Sequence, residues 1–202
     1  MKLYYAPGAC SLSPHIVARE LGIDIDLEKT DNRTKRTASG ADYLTINPKG
    51  YVPAIVLDDG QVLTEGPALV QYLADQKPEA GLVPPAGTME RYRMQEMLGY
   101  INSELHKTYS PLFNDATPQE TRNERLAYLK KRYAVLNDRL ANRPYLFGDQ
   151  LTVADAYLFV VTRWANFVKL DLSGFPNVLA FQQRVAARPA VKAAMKAEGL
   201  LQ

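Results

Sequence analysis

The chain begins MKLYYAPGACSLSP at residues 1–14, and this stretch decides how the rest is interpreted. Residues 3–5 (LYY) are aromatic and apolar, which predicts a short strand. The breakers in residues 6–9 (APGA) predict a turn. A helix then starts near Cys10 or Ser11, before any further breaker except a proline that the first helical turn tolerates. The chain therefore opens with a strand, a turn and a thiol at the start of a helix.

Cys10 is the only cysteine of the chain. Most lone cysteines are small buried hydrophobes. A helix start, however, offers unpaired N–H groups and a positive dipole end, which favour the thiolate and lower the pKa of a thiol. Residues 10–13 (CSLS) have the spacing of a C-x-x-C redox motif with serine in the second position, so a disulfide on Cys10 needs an outside thiol for its release. This pattern favours a small thiol cofactor, with Ser11 as the nearest hydroxyl that could hydrogen-bond a thiolate.

The composition is that of an ordinary soluble globular protein. The 202 residues are 47% hydrophobic and 23% charged, with a net charge of +2, and they suffice for one large domain or two small ones. Because the charges are interspersed, we expect no nucleic-acid or anionic-membrane partner. A lone cysteine, no signal peptide pattern and no run of about eighteen apolar residues favour a cytoplasmic location.

Residues 1–78 alternate short strands and helices. After the opening strand and helix, residues 25–29 alternate apolar and polar, and residues 54–57 (AIVL) form an apolar strand. Residues 58–61 (DDGQ) predict a hairpin turn, and residues 64–67 (TEGP) open another helix. The order β-α-β, loop, β-β-α predicts an α/β domain with a small mixed sheet covered by helices.

The second half of the chain is predicted to be all-helical. Residues 79–87 are rich in proline and glycine and are interpreted as a linker, followed by a helical domain at residues 88–202. Residues 152–155 (TVAD) fit a capping box, with Asp in place of the usual Glu or Gln. The helix that follows is apolar on all sides, which predicts a central buried helix. The predicted helices start near residues 89, 118, 152, 176 and 189.

Two short motifs in the first domain have both a structural and a functional interpretation. Pro53 may simply begin a strand, or it may be cis and leave the backbone N–H and C=O of Val52 free to pair with an extended peptide. Glu65 and Gly66 fit ordinary helix-start chemistry. The same N–H of Gly66 could hold a ligand carboxylate, and Glu65 could hold its ammonium group. A γ-glutamyl group carries both.

His106 is one of only two histidines. A half-buried structural histidine is the default. Its helical neighbours at i−4 and i+3 are Asn102 and Tyr109, so it lies on a partly polar face. If that face covers Cys10, His106 becomes a hydrogen-bond donor or a base to a sulfur. His15 is interpreted as structural, and one cysteine with two distant histidines gives no metal-ligand spacing.

Together these motifs resemble those of a bacterial glutathione S-transferase, most closely the beta class. The segments that carry the resemblance are 9–15 (ACSLSPH), 47–54 (NPKGYVPA), 63–66 (LTEG), 102–107 (NSELHK) and 148–155 (GDQLTVAD). The resemblance covers nearly the full chain. It implies a thioredoxin-like N-terminal domain with a mixed four-stranded sheet, an all-α C-terminal domain, glutathione as co-substrate without a metal, and a homodimer.

The resemblance also implies roles for single residues. The implied catalytic residues are Cys10, His106 and Ser11, and the implied glutathione-binding residues are Lys35, Tyr51, Val52, Pro53, Glu65 and Gly66. Cys10 would face the glutathione sulfur and could form a mixed disulfide with it. Lys35 would contact the glycine end, and Val52 would pair through its backbone before a cis Pro53. Many relatives have serine at position 66, so the Gly66 of this chain offers only its backbone to the ligand carboxylate.

The expected activity is transfer of the glutathione thiolate to apolar electrophiles, as in detoxification. Glutathione-dependent thiol–disulfide or reductive chemistry through Cys10 is an open alternative. So is a binding protein that holds glutathione or apolar ligands without turnover. The sequence leaves open the electrophile, and whether the role is general detoxification or one catabolic pathway.

Overall fold

The computed structural model describes residues 1–201 and divides the chain into two compact units. Unit 1 comprises residues 1–83 together with the C-terminal residues from Ala187 onwards, and unit 2 comprises Pro84–Ala186. The predicted division at residues 79–87 falls close to the first boundary. The assignment of residues 187–202 to the helical domain does not match the structure, because the last helix packs on the first helix of unit 1.

Unit 1 contains the predicted βαβ-ββα order. Its elements are β1 (Lys2–Tyr5), α1 (Leu12–Glu20), β2 (Asp26–Lys29), a 3-10 turn (Tyr43–Thr45), β3 (Ala54–Val56), β4 (Val62–Thr64), α2 (Gly66–Asp75), a second 3-10 turn (Pro78–Ala80) and α8 (Pro189–Ala197). The sheet order is β2-β1-β3-β4. β1 pairs in parallel with β2, whereas β3 is antiparallel to both β1 and β4. The predicted mixed four-stranded sheet is confirmed.

The strand register gathers three chain segments at one edge of this sheet. Ala54, the first residue of β3, is paired with Tyr4 near the end of β1 and with Thr64 at the end of β4. The chain therefore leaves β1, enters β3 and leaves β4 at the same edge. The segments that follow or precede these points carry Cys10, Val52-Pro53 and Glu65-Gly66.

A buried acid fastens the C-terminal segment to the start of unit 1. The carboxylate of Glu198 lies 2.9 Å from His15 Nδ1 and accepts the N–H of Gly8 at 3.0 Å, and both side chains of the ion pair are fully buried. Arg188 adds two hydrogen bonds to Glu20, at 2.6 and 2.8 Å. His15 is thus structural, as predicted, but its partner is separated from it by 183 residues.

Unit 2 is helical, as predicted. Its elements are α3 (Met89–Tyr100), a π-helical segment (Ile101–His106), α4 (Lys107–Tyr109), a 3-10 turn (Ser110–Phe113), α5 (Gln119–Arg139), α6 (Val153–Phe167) and α7 (Pro176–Ala186). The predicted single helix from residue 89 to 112 is therefore interrupted by a π segment, a feature that often marks functional sites. Across the described residues, no helix is long and apolar enough to cross a membrane.

α6 is the buried central helix of unit 2. Most of its residues are inaccessible to solvent. At its start, the buried carboxylate of Asp155 accepts the N–H of Thr152 at 2.8 Å, the hydroxyl of Thr152 at 2.7 Å and the N–H of Leu146 at 2.8 Å. The predicted capping box is confirmed, and the acid also fastens the preceding loop.

Candidate active site

The thiol of Cys10 lies against the start of β3. Its side chain is partly exposed, and Sγ donates a hydrogen bond of 3.3 Å to the carbonyl of Val52. Because a carbonyl can only accept, this bond exists only while the thiol keeps its proton. The carbonyl of Val52, expected to be free for a ligand, is instead engaged by Cys10. The contact joins the helix start to the strand start across the sheet edge.

The segment before β3 is held by buried groups. The Val52–Pro53 peptide bond is cis, and Val52 packs in a core cluster with Tyr4 and Tyr43. The carbonyl of Tyr51 accepts the Tyr43 hydroxyl at 2.9 Å and the Asn47 side-chain amide at 2.7 Å. Burial raises the pKa of Tyr43 to about 12, so its hydroxyl remains a donor at neutral pH. The sequence analysis did not find these two supports, although Asn47 belongs to the 47–54 motif.

Glu65 and Gly66 form an open helix start. Glu65 has a positive φ of 70°, unusual for a residue with a side chain, and it makes no side-chain capping bond to α2. Its carboxylate, 65% exposed, lies 2.7 Å from the ammonium group of Lys49. A Cβ added at Gly66 would have no heavy atom within 4 Å. The helix start therefore has both a charged group and open space beside it.

Lys35 and Tyr51 lie together near the same strand start. Lys35 Nζ donates to the carbonyl of Gly50 at 2.8 Å and lies 5.6 Å from the centre of the Tyr51 ring. The Tyr51 side chain is 70% exposed. A cation on this aromatic ring gives the segment a positive, solvent-facing rim.

Ser11 differs from the role that the resemblance implies for it. Its side chain is fully buried. Its hydroxyl donates to the carbonyl of Ala6 and accepts the N–H of Ala6, both at 3.2 Å. The hydroxyl thus fastens the turn that leads to Cys10, an arrangement that supports positioning the thiol rather than contacting a reacting atom.

His106 ends the π segment of unit 2 and contacts α6. Its Nδ1 lies 2.6 Å from the hydroxyl of Tyr157, which donates to Asn102 Oδ1 at 3.0 Å. The indole ring of Trp164 meets the imidazole edge-on, with 4.8 Å between ring centres. The predicted neighbourhood of Asn102 and His106 is confirmed. Tyr157 and Trp164 were missed, because α6 looks uniformly apolar and signals only a core.

Unit 1 thus offers a thiol, a strand start and an uncapped helix start at one sheet edge, and unit 2 offers a half-buried imidazole in an aromatic surround. A thiol and an imidazole suit nucleophilic and proton-transfer chemistry. Within residues 1–201 no group of three or more His, Cys, Asp or Glu side chains is placed to hold a metal ion.

Comparison with known proteins agrees with this arrangement. The family model for the glutathione S-transferase N-terminal domain matches residues 8–76, and that for the C-terminal domain matches residues 100–189. The glutathione S-transferase GstA of Escherichia coli O157:H7 is 49% identical, over 99% of this chain and 100% of its own. The chain therefore belongs to the glutathione S-transferase family.

Solved structures extend the comparison to the whole fold. The beta-class glutathione S-transferase of Sphingomonas chungbukensis superposes with a TM-score of 0.96 at 45% identity, over 100% of both chains. A sphingomonad glutathione S-transferase complexed with glutathione gives 0.95 at 45% identity, again over 100% of both. The thioredoxin-like N-terminal domain, the helical C-terminal domain and the beta-class resemblance are confirmed.

Proposed function

We propose that this protein is a glutathione transferase that binds glutathione at the sheet edge of unit 1 and transfers its sulfur to apolar electrophiles. The observation that carries the proposal is the 3.3 Å contact of Cys10 Sγ with the Val52 carbonyl, at the edge where Glu65 and Gly66 also lie. The names of the relatives support the activity, and the sphingomonad complex supports the ligand.

The groups at this edge match the parts of the tripeptide. The exposed carboxylate of Glu65 suits the ammonium of the γ-glutamyl group, which would replace Lys49 as its partner. The α2 start at Gly66 suits the adjacent carboxylate. The backbone of Val52 suits the extended cysteinyl part, and the cationic rim of Lys35 and Tyr51 suits the glycine carboxylate.

In the conjugation reaction, the glutathione thiol loses its proton to a base and the thiolate attacks an electrophilic carbon. A carbon–sulfur bond forms, and the leaving group departs with its electron pair; with an epoxide, the ring oxygen takes that pair and a proton. His106 is the candidate base, and Cys10 anchors the sulfur by hydrogen bonding.

A second chemistry is favoured by the partial exposure of Cys10. The Cys10 thiolate attacks a substrate disulfide and releases one thiolate, which leaves a mixed disulfide on Cys10. A glutathione thiolate then attacks the sulfur of Cys10, regenerates its thiolate and carries the substrate half away as a mixed disulfide. Two electrons come from the thiols at each turnover.

Replacement of Cys10 by alanine separates the two chemistries. We expect conjugation of an aryl halide to stay within about tenfold of the wild type, since the other binding groups remain. Reduction of a glutathione mixed disulfide should fall by at least about a hundredfold, since the covalent route is lost. Undiminished disulfide reduction would exclude the covalent role. Glutathione binding by the wild type with no turnover of aryl halides, epoxides or disulfides would instead favour a binding protein.

We also propose a homodimer in the cytoplasm, as the beta-class resemblance implies. Sedimentation equilibrium of the purified protein should give twice the mass of the chain. A monomer at all micromolar concentrations would contradict this part of the proposal and leave the chemistry untouched.

A further inference from the structure

The hydroxyl of Tyr157 bridges the two polar side chains of the π segment in unit 2. It lies 2.6 Å from His106 Nδ1 and donates to Asn102 Oδ1 at 3.0 Å. Tyr157 itself is only 1% exposed and sits on the buried helix α6. The three groups form a short chain in which each position is fixed by the packing around it.

The protons of this chain can be counted. A tyrosine hydroxyl has one proton, and the carbonyl oxygen of an asparagine side chain can only accept. With that proton donated to Asn102, the Tyr157 oxygen can only accept from His106, so Nδ1 must carry a hydrogen. In a neutral imidazole the other nitrogen, Nε2, then carries the lone pair.

We infer that Tyr157 and Asn102 are positioning residues that hold His106 in the Nδ1–H tautomer, with Nε2 as the basic nitrogen. The inference rests on the proposed function for its consequence. It assigns His106 as a base that accepts a proton, rather than as a neutral donor to a sulfur, and it names the nitrogen. Trp164, edge-on at 4.8 Å, limits rotation of the same ring.

His15 provides an internal reference. Its Nδ1 faces the Glu198 carboxylate at 2.9 Å, and its Nε2 accepts from Arg19 at 3.4 Å. It belongs to unit 1 and shares no partner with His106. Since these are the only two histidines, selective ¹⁵N labelling of histidine gives two sets of imidazole signals, and the variant His106→Gln assigns them.

The test is the tautomer of His106, read from its nitrogen shifts and two-bond nitrogen–proton couplings at about pH 8, above the ordinary pKa of histidine. We expect a protonated Nδ1 and a lone-pair Nε2. Tyr157→Phe and Asn102→Ala should each move His106 toward the Nε2–H form: the first removes the acceptor, and the second frees the Tyr157 proton to turn to Nδ1. The signals of His15 should not change in either variant.

Tyr133→Phe is the matched control. It also removes a fully buried tyrosine hydroxyl from unit 2, one that lies 2.9 Å from the Tyr109 hydroxyl. Its stability loss should resemble that of Tyr157→Phe, but the His106 tautomer should stay unchanged. Wild-type His106 in the Nε2–H form, or a spectrum unaffected by Tyr157→Phe, would overturn the inference. If that variant does not fold, the wild-type and Asn102→Ala spectra still decide.

Kinetics then separate the inference from the proposed function. In Tyr157→Phe we expect kcat for conjugation to fall about tenfold, within the range of proton-transfer effects, while KM for glutathione stays within about twofold. Full activity of His106→Gln would contradict the proposed role of His106 as a base, yet the tautomer measured by resonance would still stand or fall alone.

Discussion

Two helix starts, that of α6 in unit 2 and that of α2 in unit 1, are completed in opposite ways. At α6, the acid Asp155 is buried and accepts three hydrogen bonds from Leu146 and Thr152. At α2, the acid Glu65 is exposed, makes no capping bond and pairs with Lys49. Both starts have an acid within the first turn or just before it, yet one closes on itself and the other faces outward.

The difference teaches how to distinguish a folding device from a ligand site. A carboxylate that satisfies N–H groups of its own chain stabilises the fold, and its loss leaves buried donors unpaired. An acid that leaves its helix uncapped, with open space beside the next residue, contributes little to stability and remains available to a ligand. Substitutions at the two kinds of position should therefore affect different measurements.

Asp155→Ala should have the largest effect on stability. It leaves the buried N–H groups of Leu146 and Thr152 without their acceptor, so we expect the free energy of unfolding to fall by about 4 kcal/mol. Urea unfolding monitored by Trp164 fluorescence measures this. Asp138→Ala, the same change at an exposed position of α5, should cost less than about 0.5 kcal/mol. Equal losses would break the distinction.

The same acid should give a pH signature. Burial raises the pKa of Asp155 from its ordinary value of 3.8 to about 6, against the lowering effect of its hydrogen bonds. The folded state then holds the proton more tightly than the unfolded chain, so this group's contribution falls as pH rises from about 4 to about 6. The loss relative to Asp155→Asn is at most about 3 kcal/mol. A difference that grows in the opposite direction would contradict this sign.

Glu198→Ala extends the comparison to a buried acid in unit 1 whose partners are distant in sequence. It leaves His15 and the N–H of Gly8 without their carboxylate, so we expect a loss of about 3 kcal/mol. The exposed acid Glu79, replaced by alanine, is the control. Because Gly8 lies in the turn before Cys10, the alkylation rate of the thiol should also change in Glu198→Ala and not in Glu79→Ala.

These two buried acids show what the sequence could predict. The Asp155 cap was predictable because its partner Thr152 is three residues away, and hydrophobic periodicity likewise predicted the strand and helix order. The Glu198 clamp was not, since its partner His15 is 183 residues away and a lone acid near the C-terminus has no local pattern. The return of residues 187–201 to unit 1 was missed for the same reason.

The site divides in the same manner. Backbone features such as the cis peptide before Pro53 and the helix start at Gly66 lie within short motifs, so the sequence located them. The direction of a side chain does not follow from a motif. Ser11 turns its hydroxyl to Ala6, and Tyr157 reaches His106 from a helix whose pattern signals only burial.

Glu65→Ala should affect binding without affecting stability. An ammonium–carboxylate hydrogen bond contributes about 2 kcal/mol, so we expect the Kd for glutathione to rise by about thirtyfold in calorimetric titration. The free energy of unfolding should change by less than about 0.5 kcal/mol, since the pair with Lys49 is exposed. A stability loss comparable to that of Asp155→Ala would erase the difference between the two helix starts.

Ser11→Ala tests a hydroxyl that the resemblance implies is catalytic and the structure places in the fold. Removal of its two hydrogen bonds with Ala6 should cost about 1.5 kcal/mol. The kcat for conjugation should stay within about threefold of the wild type, measured below the unfolding transition. Ser173→Ala at an exposed position controls for the substitution. A hundredfold loss of kcat with unchanged stability would restore the catalytic role.

Gly66→Ser has the smallest expected effect and tests whether the α2 start is open to a ligand. No heavy atom lies within 4 Å of an added Cβ, so the side chain fits, and its hydroxyl can donate to a bound carboxylate. One such hydrogen bond contributes about 1 kcal/mol, which would lower the Kd for glutathione by about fivefold. Gly66→Ala fills the same space without a donor and should leave the Kd within about twofold. If serine and alanine weaken binding equally, the ligand carboxylate does not lie at this helix start. If serine tightens binding while the free energy of unfolding of both variants stays unchanged, the open start differs from the closed start of α6 by serving a ligand in place of the fold.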